Sequence, residues 1–154
     1  RWTLDGEPIA FHMTFGNFPG NVDRWQFYLM YVPSVAIIDF GGAAAGSGAR
    51  EGRRENCIQV FSCHFMTPET ETTTYDYWLH VRNFAAADAG VTEGISDQFR
   101  TAFAEDKVVL EAIQIEEESH DTRDRVGLDL DGSAGLFRRM VVERIRNEAS
   151  ANGA

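Results

Sequence analysis

Cysteine, histidine, proline and basic residues are all scarce in this chain, and each scarcity closes off a class of function. Among 154 residues there are two cysteines and four histidines. Cys57 and Cys63 belong to no Cys-x-x-Cys or Cys-x-His pattern, so the sequence encodes no zinc ribbon, redox dithiol or iron–sulfur site. Six positions apart on what reads as one strand, they lie roughly 20 Å apart at about 3.3 Å per residue and cannot pair with each other. Unpaired thiols fit a reducing cytoplasm. His12, His64, His80 and His120 form no His-x3-His or His-x4-His pair, so local spacing supplies no complete metal site. Lys and Arg together number 14 against 24 Asp and Glu, a net charge of −10, which disfavours nucleic acid and anionic membrane surfaces as partners. The basic stretch Arg138, Arg139, Arg144 and Arg146 is interrupted by Glu143 and Glu148 and reads as a solvated helix face. Apolar runs such as Val35 to Ile38 fall far short of the roughly 20 residues of a membrane helix. Also missing are a G-x-S-x-G nucleophile elbow, a phosphate-binding G-x-G-x-x-G, a secretory leader and an initiator Met. The start at Arg1 is expected to mean that a preceding segment was removed or never included.

Hydrophobic residues make up 44% of the chain and aromatics 12%, with eleven Phe and three Trp, so it can build a core. The length suits one domain, residues 1–154. Period-two alternation of Ile9, Phe11, Met13 and Phe15 predicts a strand. Trp25, Phe27, Leu29 and Tyr31 predict another, Val35 to Phe40 a third, and Cys57 to Met66 and Thr72 to Phe84 two more. The Gly/Ala/Ser-rich run Gly41 to Gly52 is expected to form a long, mobile hairpin loop. His64 shares strand parity with Ile58, Val60 and Met66 and is read as inward-facing, more simply a bonded core histidine than a ligand. His80, on the Asp76, Trp78 and Arg82 face, is expected at an outer surface or interface.

After Gly94 the period changes. Ile95, Phe99, Ala102, Phe103, Asp106, Val109, Leu110 and Ile113 recur every three or four residues and predict a helix of about five turns. Glu116 to Gly135 is expected to be a connection. Leu136, Phe137, Met140, Val141 and Ile145 mark a second helix, and residues 147–154 a frayed tail. Strands first and helices after give an α+β fold, a curved antiparallel sheet wrapped around a long C-terminal helix, with a pocket between them. Asp106 stands out as a carboxylate on an apolar stripe. Either an Arg or a backbone donor satisfies it, or it serves a metal or catalysis.

The ordered segments Thr67-Pro68-Glu69-Thr70-Glu71-Thr72-Thr73-Thr74, Tyr77-Trp78, Arg82-Asn83-Phe84 and Glu105-Asp106-Lys107-Val108-Val109-Leu110-Glu111 resemble one family. It is the C-terminal catalytic domain of Rieske non-haem iron oxygenases of the vanillate O-demethylase and dicamba monooxygenase type, and the likeness covers roughly Trp25 to Ile115. The resemblance implies a START-like helix-grip domain holding one Fe(II) through two histidines and a carboxylate, the latter falling on Asp106. It implies electrons from a [2Fe-2S] Rieske cluster supplied by a reductase or ferredoxin. It also implies dioxygen-dependent hydroxylation or O-demethylation of an aromatic or similarly apolar molecule, and a homotrimeric parent.

Two positions depart from the pattern. Tyr75 stands where relatives carry a substrate-bonding histidine, and Asp97 where the dicamba enzyme carries a pocket Trp. The family's N-x-x-D-x-x-H-x4-H run and its Rieske C-x-H and C-x-x-H pairs do not occur in this chain, which is therefore expected to be the C-terminal part of a longer subunit, inactive alone. Expected pocket residues are Phe27, Leu29, Ile37, His64, Tyr75, Tyr77, Phe99, Phe103 and Leu110. The alternative is a metal-free helix-grip module that binds a hydrophobic small molecule.

Overall fold

The computed structural model describes residues 1–120, 128 and 131–152. The elements run β1 (Trp2–Gly6), α1 (Ala10–Phe15), β2 (Val22–Tyr31), β3 (Val35–Ala44), a 3-10 turn (Ala49–Glu51), β4 (Ile58–Pro68), β5 (Thr74–Arg82), α2 (Ala89–Ser119) and α3 (Gly132–Asn152). All five strands join one antiparallel sheet in sequence order. This is the expected α+β class, with the sheet and long helix of a helix-grip fold. The chain divides into two compact units, Arg1–Thr92 and Glu93–Ala154. Among the described residues no helix is long and apolar enough to cross a membrane.

Four stretches differ from the sequence expectation. Residues 9–15 do not form a strand: Ala10–Phe15 is a short helix, with the Ile9 carbonyl accepting the His12 and Met13 amides at 2.9 and 3.1 Å. Phe11 and Phe15 satisfy period two, but they also stand i,i+4, and both rings meet Phe84, at 5.7 and 4.8 Å between centroids. A six-residue run cannot separate the two periods, and the packing partner on a distant segment decides. The edge strand is instead Trp2–Gly6, with Trp2 opposite Trp25.

The Gly/Ala run is likewise not a loop at its start. β3 carries Gly41, Gly42 and Ala43 through the sheet, opposite Trp25, Arg24 and Asp23. Small residues are needed there because rings lie on the backbone. A Cβ on Gly41 would come within 2.5 Å of the Trp25 ring and 2.4 Å of the Ile58 carbonyl oxygen, and one on Gly42 within 2.4 Å of the His12 ring.

Helix α2 is longer than the expected stretch, extending to Ser119, and α3 begins at Gly132, so both ends of the predicted connection 116–135 are helical. Within that connection, residues 121–127, 129 and 130 lie outside the described residues. Residues 147–152 continue α3 where a frayed tail was expected, and 153–154 lie outside the described residues. Both cysteines are free thiols.

Candidate functional site

In an antiparallel pair, residues opposite one another point to the same side of the sheet. The register puts Leu29 opposite Ile37, Ile37 opposite Cys63, Cys63 opposite Leu79, and Phe65 opposite Tyr77. Phe27 and Tyr75 share that side by strand parity. Five of the expected pocket residues, Phe27, Leu29, Ile37, Tyr75 and Tyr77, therefore share one apolar, aromatic face. Tyr77 is 59% exposed and Tyr75 52%.

The sixth, His64, is not with them. It pairs with Ala36 and Trp78 and so points to the opposite side. There its Nδ1 lies 2.8 Å from Asp76 Oδ2, and its Nε2 lies 3.0 Å from Ser62 Oγ, which also stands 3.0 Å from His80 Nε2. With His64 neutral, the donor count fixes the chain of bonds: Nδ1–H to the carboxylate, the Ser62 hydroxyl to Nε2, and His80 Nε2–H to Ser62. Burial, and then the neighbouring His64 charge, lowers the His80 pKa to about 4. The constellation has the composition of a hydrolytic triad, but Ser62 is 1% exposed and no acyl group can reach it. It ties β4 to β5.

The segment Thr67–Thr74 forms the β4–β5 hairpin. The Thr70 hydroxyl accepts the Thr73 amide at 3.0 Å. Glu69 accepts the Thr73 hydroxyl at 3.0 Å and the Tyr75 hydroxyl at 2.8 Å, which holds Tyr75 at the rim of the aromatic face. Arg82-Asn83-Phe84 then launches α2. The Arg82 guanidinium donates to the Phe84, Ala85 and Asp88 carbonyls and to the Thr92 hydroxyl, between 2.8 and 3.2 Å. Asn83 donates to the Cys57 carbonyl at 3.0 Å and accepts the Gln59 amide at 2.8 Å, extending β5 by a side-chain rung. Asp88 Oδ1 accepts the Val91 amide at 3.1 Å as the cap of α2.

On α2, Phe99 and Phe103 stack at 5.7 Å, and Leu110 is 64% exposed. Asp106 is exposed, and among the described residues it has no hydrogen bond or ion pair. The protein donor expected on the structural-acid reading is thus not found there. Asp97 pairs with Arg100 at 3.7 Å, on the helix surface.

The buried acids are elsewhere. Asp39 is 8% exposed and accepts Trp25 Nε1–H at 2.8 Å and Gln59 Nε2–H at 2.7 Å, with Arg54 Nη1 at 3.4 Å. Arg54 in turn lies 4.7 Å from the Trp25 ring centroid. Asp23, 7% exposed, accepts the Asp5 and Gly46 amides at 2.8 and 3.0 Å. The signal for Asp39 was present, since it interrupts the apolar run Val35–Phe40. No group of three or more His, Cys, Asp or Glu among the described residues could hold a metal. These residues therefore do not by themselves fit an iron centre, and Asp106 stands as a single carboxylate.

Over 147 residues the chain is 35% identical to the toluene-4-sulfonate monooxygenase system iron-sulfur subunit TsaM1 of Comamonas testosteroni, covering 94% of this chain and 42% of that protein. It is 33% identical over 152 residues to the oxygenase component of chloroacetanilide N-alkylformylase from Rhizorhabdus wittichii, covering 96% and 42%. A vanillate O-demethylase oxygenase subunit from Pseudomonas is 32% identical over 124 residues, covering 80% and 37%. The chain thus spans about two fifths of the length of these curated relatives. No solved structure matches it. The family model described as the vanillate O-demethylase oxygenase C-terminal domain matches residues 1–147, and the chain belongs to that family.

Proposed function

We propose that this chain is the C-terminal part of the terminal oxygenase subunit of a Rieske-type monooxygenase or O-demethylase, supplying the carboxylate ligand of a mononuclear Fe(II) and the apolar wall of the substrate site. The observation that carries the reading is the extent of the family match, residues 1–147, which takes in both the aromatic sheet face and the helix bearing Asp106. In this reading the two histidine ligands and the [2Fe-2S] cluster come from residues outside the 154 described by this sequence. Phe27, Leu29, Ile37, Tyr75 and Tyr77 offer a small aromatic or similarly apolar substrate its contact area. Tyr75, oriented by Glu69, supplies a hydroxyl at the face's rim. Dioxygen and a reductase or ferredoxin complete the system, in a homotrimeric, cytoplasmic parent.

Iron content, turnover and folding of the full-length parent, measured with and without Asp106→Asn, test the assignment. Loss of iron and of turnover with the circular dichroism unchanged is the expected result. Unchanged iron in the variant would overturn the ligand role. A parent that holds no iron in either form, yet binds its apolar ligand, would instead support a metal-free carrier.

A further inference from the structure

The β4–β5 hairpin fixes where each hydroxyl proton points at the rim of the aromatic face. The Thr70 oxygen accepts the Thr72 and Thr73 amides at 3.3 and 3.0 Å, and its proton goes to the Thr73 oxygen at 2.7 Å. Thr73 must be the acceptor in that pair, because its own proton goes to Glu69 Oε2 at 3.0 Å. Glu69 Oε1 takes the proton of the Tyr75 hydroxyl at 2.8 Å. A carboxylate only accepts, so Tyr75 has no proton left to offer a ligand. Its phenolic oxygen keeps lone pairs, and what it can still bind is a donor.

Charge points the same way. Among the described residues that β2 to β5 turn to this side there is no Lys, Arg or His. Arg54, from the segment before β4, lies over the Trp25 ring and is paired with Asp39 at 3.4 Å. Asp39 stands opposite Phe61 and Tyr75 opposite Thr67, six positions further along β4, roughly 20 Å at about 3.3 Å per residue. Beside Tyr75 the hairpin instead carries Glu69 and Glu71. An anionic group set against the Tyr75 oxygen would meet an acceptor and a carboxylate, with no strand cation to compensate. Phe65 and Tyr77, opposite one another, offer a ring its apolar contact, the Tyr77 ring lying 6.1 Å from that of Tyr75.

We propose that Tyr75 and Glu69 select a neutral aromatic that carries a hydrogen-bond donor, a phenol in the simplest case, against an aromatic carboxylate. The ring lies on Phe65 and Tyr77, and the hydroxyl donates to the Tyr75 oxygen. The inference rests on the aromatic face being the substrate wall of the oxygenase reading. Calorimetric titration of the full-length parent at pH 7 with 4-methylphenol, 4-methylanisole and 4-methylbenzoate tests it, because the three share a ring and differ in one group: a donor, an uncharged acceptor and an anion. The phenol should bind at least fivefold tighter than either of the others, a ratio that needs no variant. Tyr75→Phe should remove at least fivefold of the preference over the ether. Glu69→Gln keeps an oxygen for the Tyr75 proton but drops the charge, and should tighten benzoate binding at least threefold. Ether or benzoate bound as tightly as the phenol, a preference untouched by folded Tyr75→Phe, a benzoate affinity unmoved by folded Glu69→Gln, or no saturable binding of the phenol would each overturn the proposal. Any of these can occur in a parent that holds iron and loses it on Asp106→Asn, so the iron content of that variant separates failure of the selectivity from failure of the oxygenase reading.

Discussion

At the scale of single residues, burial rather than sequence neighbourhood separates the acids of this chain. Asp39 and Asp106 both interrupt apolar patterns, but one is sealed in the sheet under three donors and the other is solvated on a helix. Asp39→Asn keeps the shape but turns an amide group toward Arg54 or Trp25, each of which needs an acceptor. With the Arg54 and Asp39 side chains 29% and 12% exposed, the loss should be about 2–3 kcal/mol, read as a lower urea midpoint at constant m. Asp106→Asn should change the stability of the isolated chain by no more than about 0.5 kcal/mol. Gly41→Ala meets a backbone carbonyl as well as the Trp25 ring, so it should cost about 2–3 kcal/mol by the same measurement. Composition could mark Gly41 and Gly42 as unusual, but the rings that occupy the missing Cβ space come from another strand and from α1, and are invisible until the chain is folded.

At the scale of elements, strands β2 to β5 were legible because each is long enough for alternation to persist, and because turn residues separate them. The helix α1 was not, since six residues satisfy both periods and Phe84, 69 positions beyond Phe15, decides between them. Strand parity likewise located His64 correctly along β4, but it gave no sign of which side the substrate-facing aromatics take. That side is fixed by pairing, and the pairing puts His64 with Ser62, His80 and Asp76. The consequence is a pH dependence. Because His80 has its pKa lowered to about 4 in the fold, the unfolded chain binds more protons than the native one between about pH 6.5 and 4. Stability should therefore fall as the pH drops through that window and level off below it, with His12 adding in the same direction. His80→Gln should flatten the part of the slope due to His80. Ser62→Ala removes the hydroxyl that bonds both imidazoles and should cost about 1–3 kcal/mol at pH 7, measured by denaturant unfolding.

At the scale of the whole molecule, the family was legible from four short segments, and the structure gives three of them mechanical roles. Thr67–Thr74 closes a hairpin, Arg82-Asn83-Phe84 fixes the exit from the sheet, and Glu105–Glu111 lies on the helix that follows. What could not be read from the sequence is a complete metal site, because the proposed division of ligands puts only Asp106 in this chain. Fe(II) bound by a single solvated carboxylate competes with water and lacks the nitrogen donors that give such sites their affinity. A ligand that binds only the folded state stabilises it by RT ln(1 + [L]/Kd), so one present far below its Kd adds almost nothing. The isolated chain should therefore show no rise in melting temperature with millimolar Fe(II) under anaerobic conditions, and should retain well under one equivalent of iron after desalting. The full-length parent should show both effects and lose them on Asp106→Asn. Stoichiometric iron and substrate turnover in the purified 154-residue chain would mean that its own residues complete the site, which would refute the ligand division proposed here.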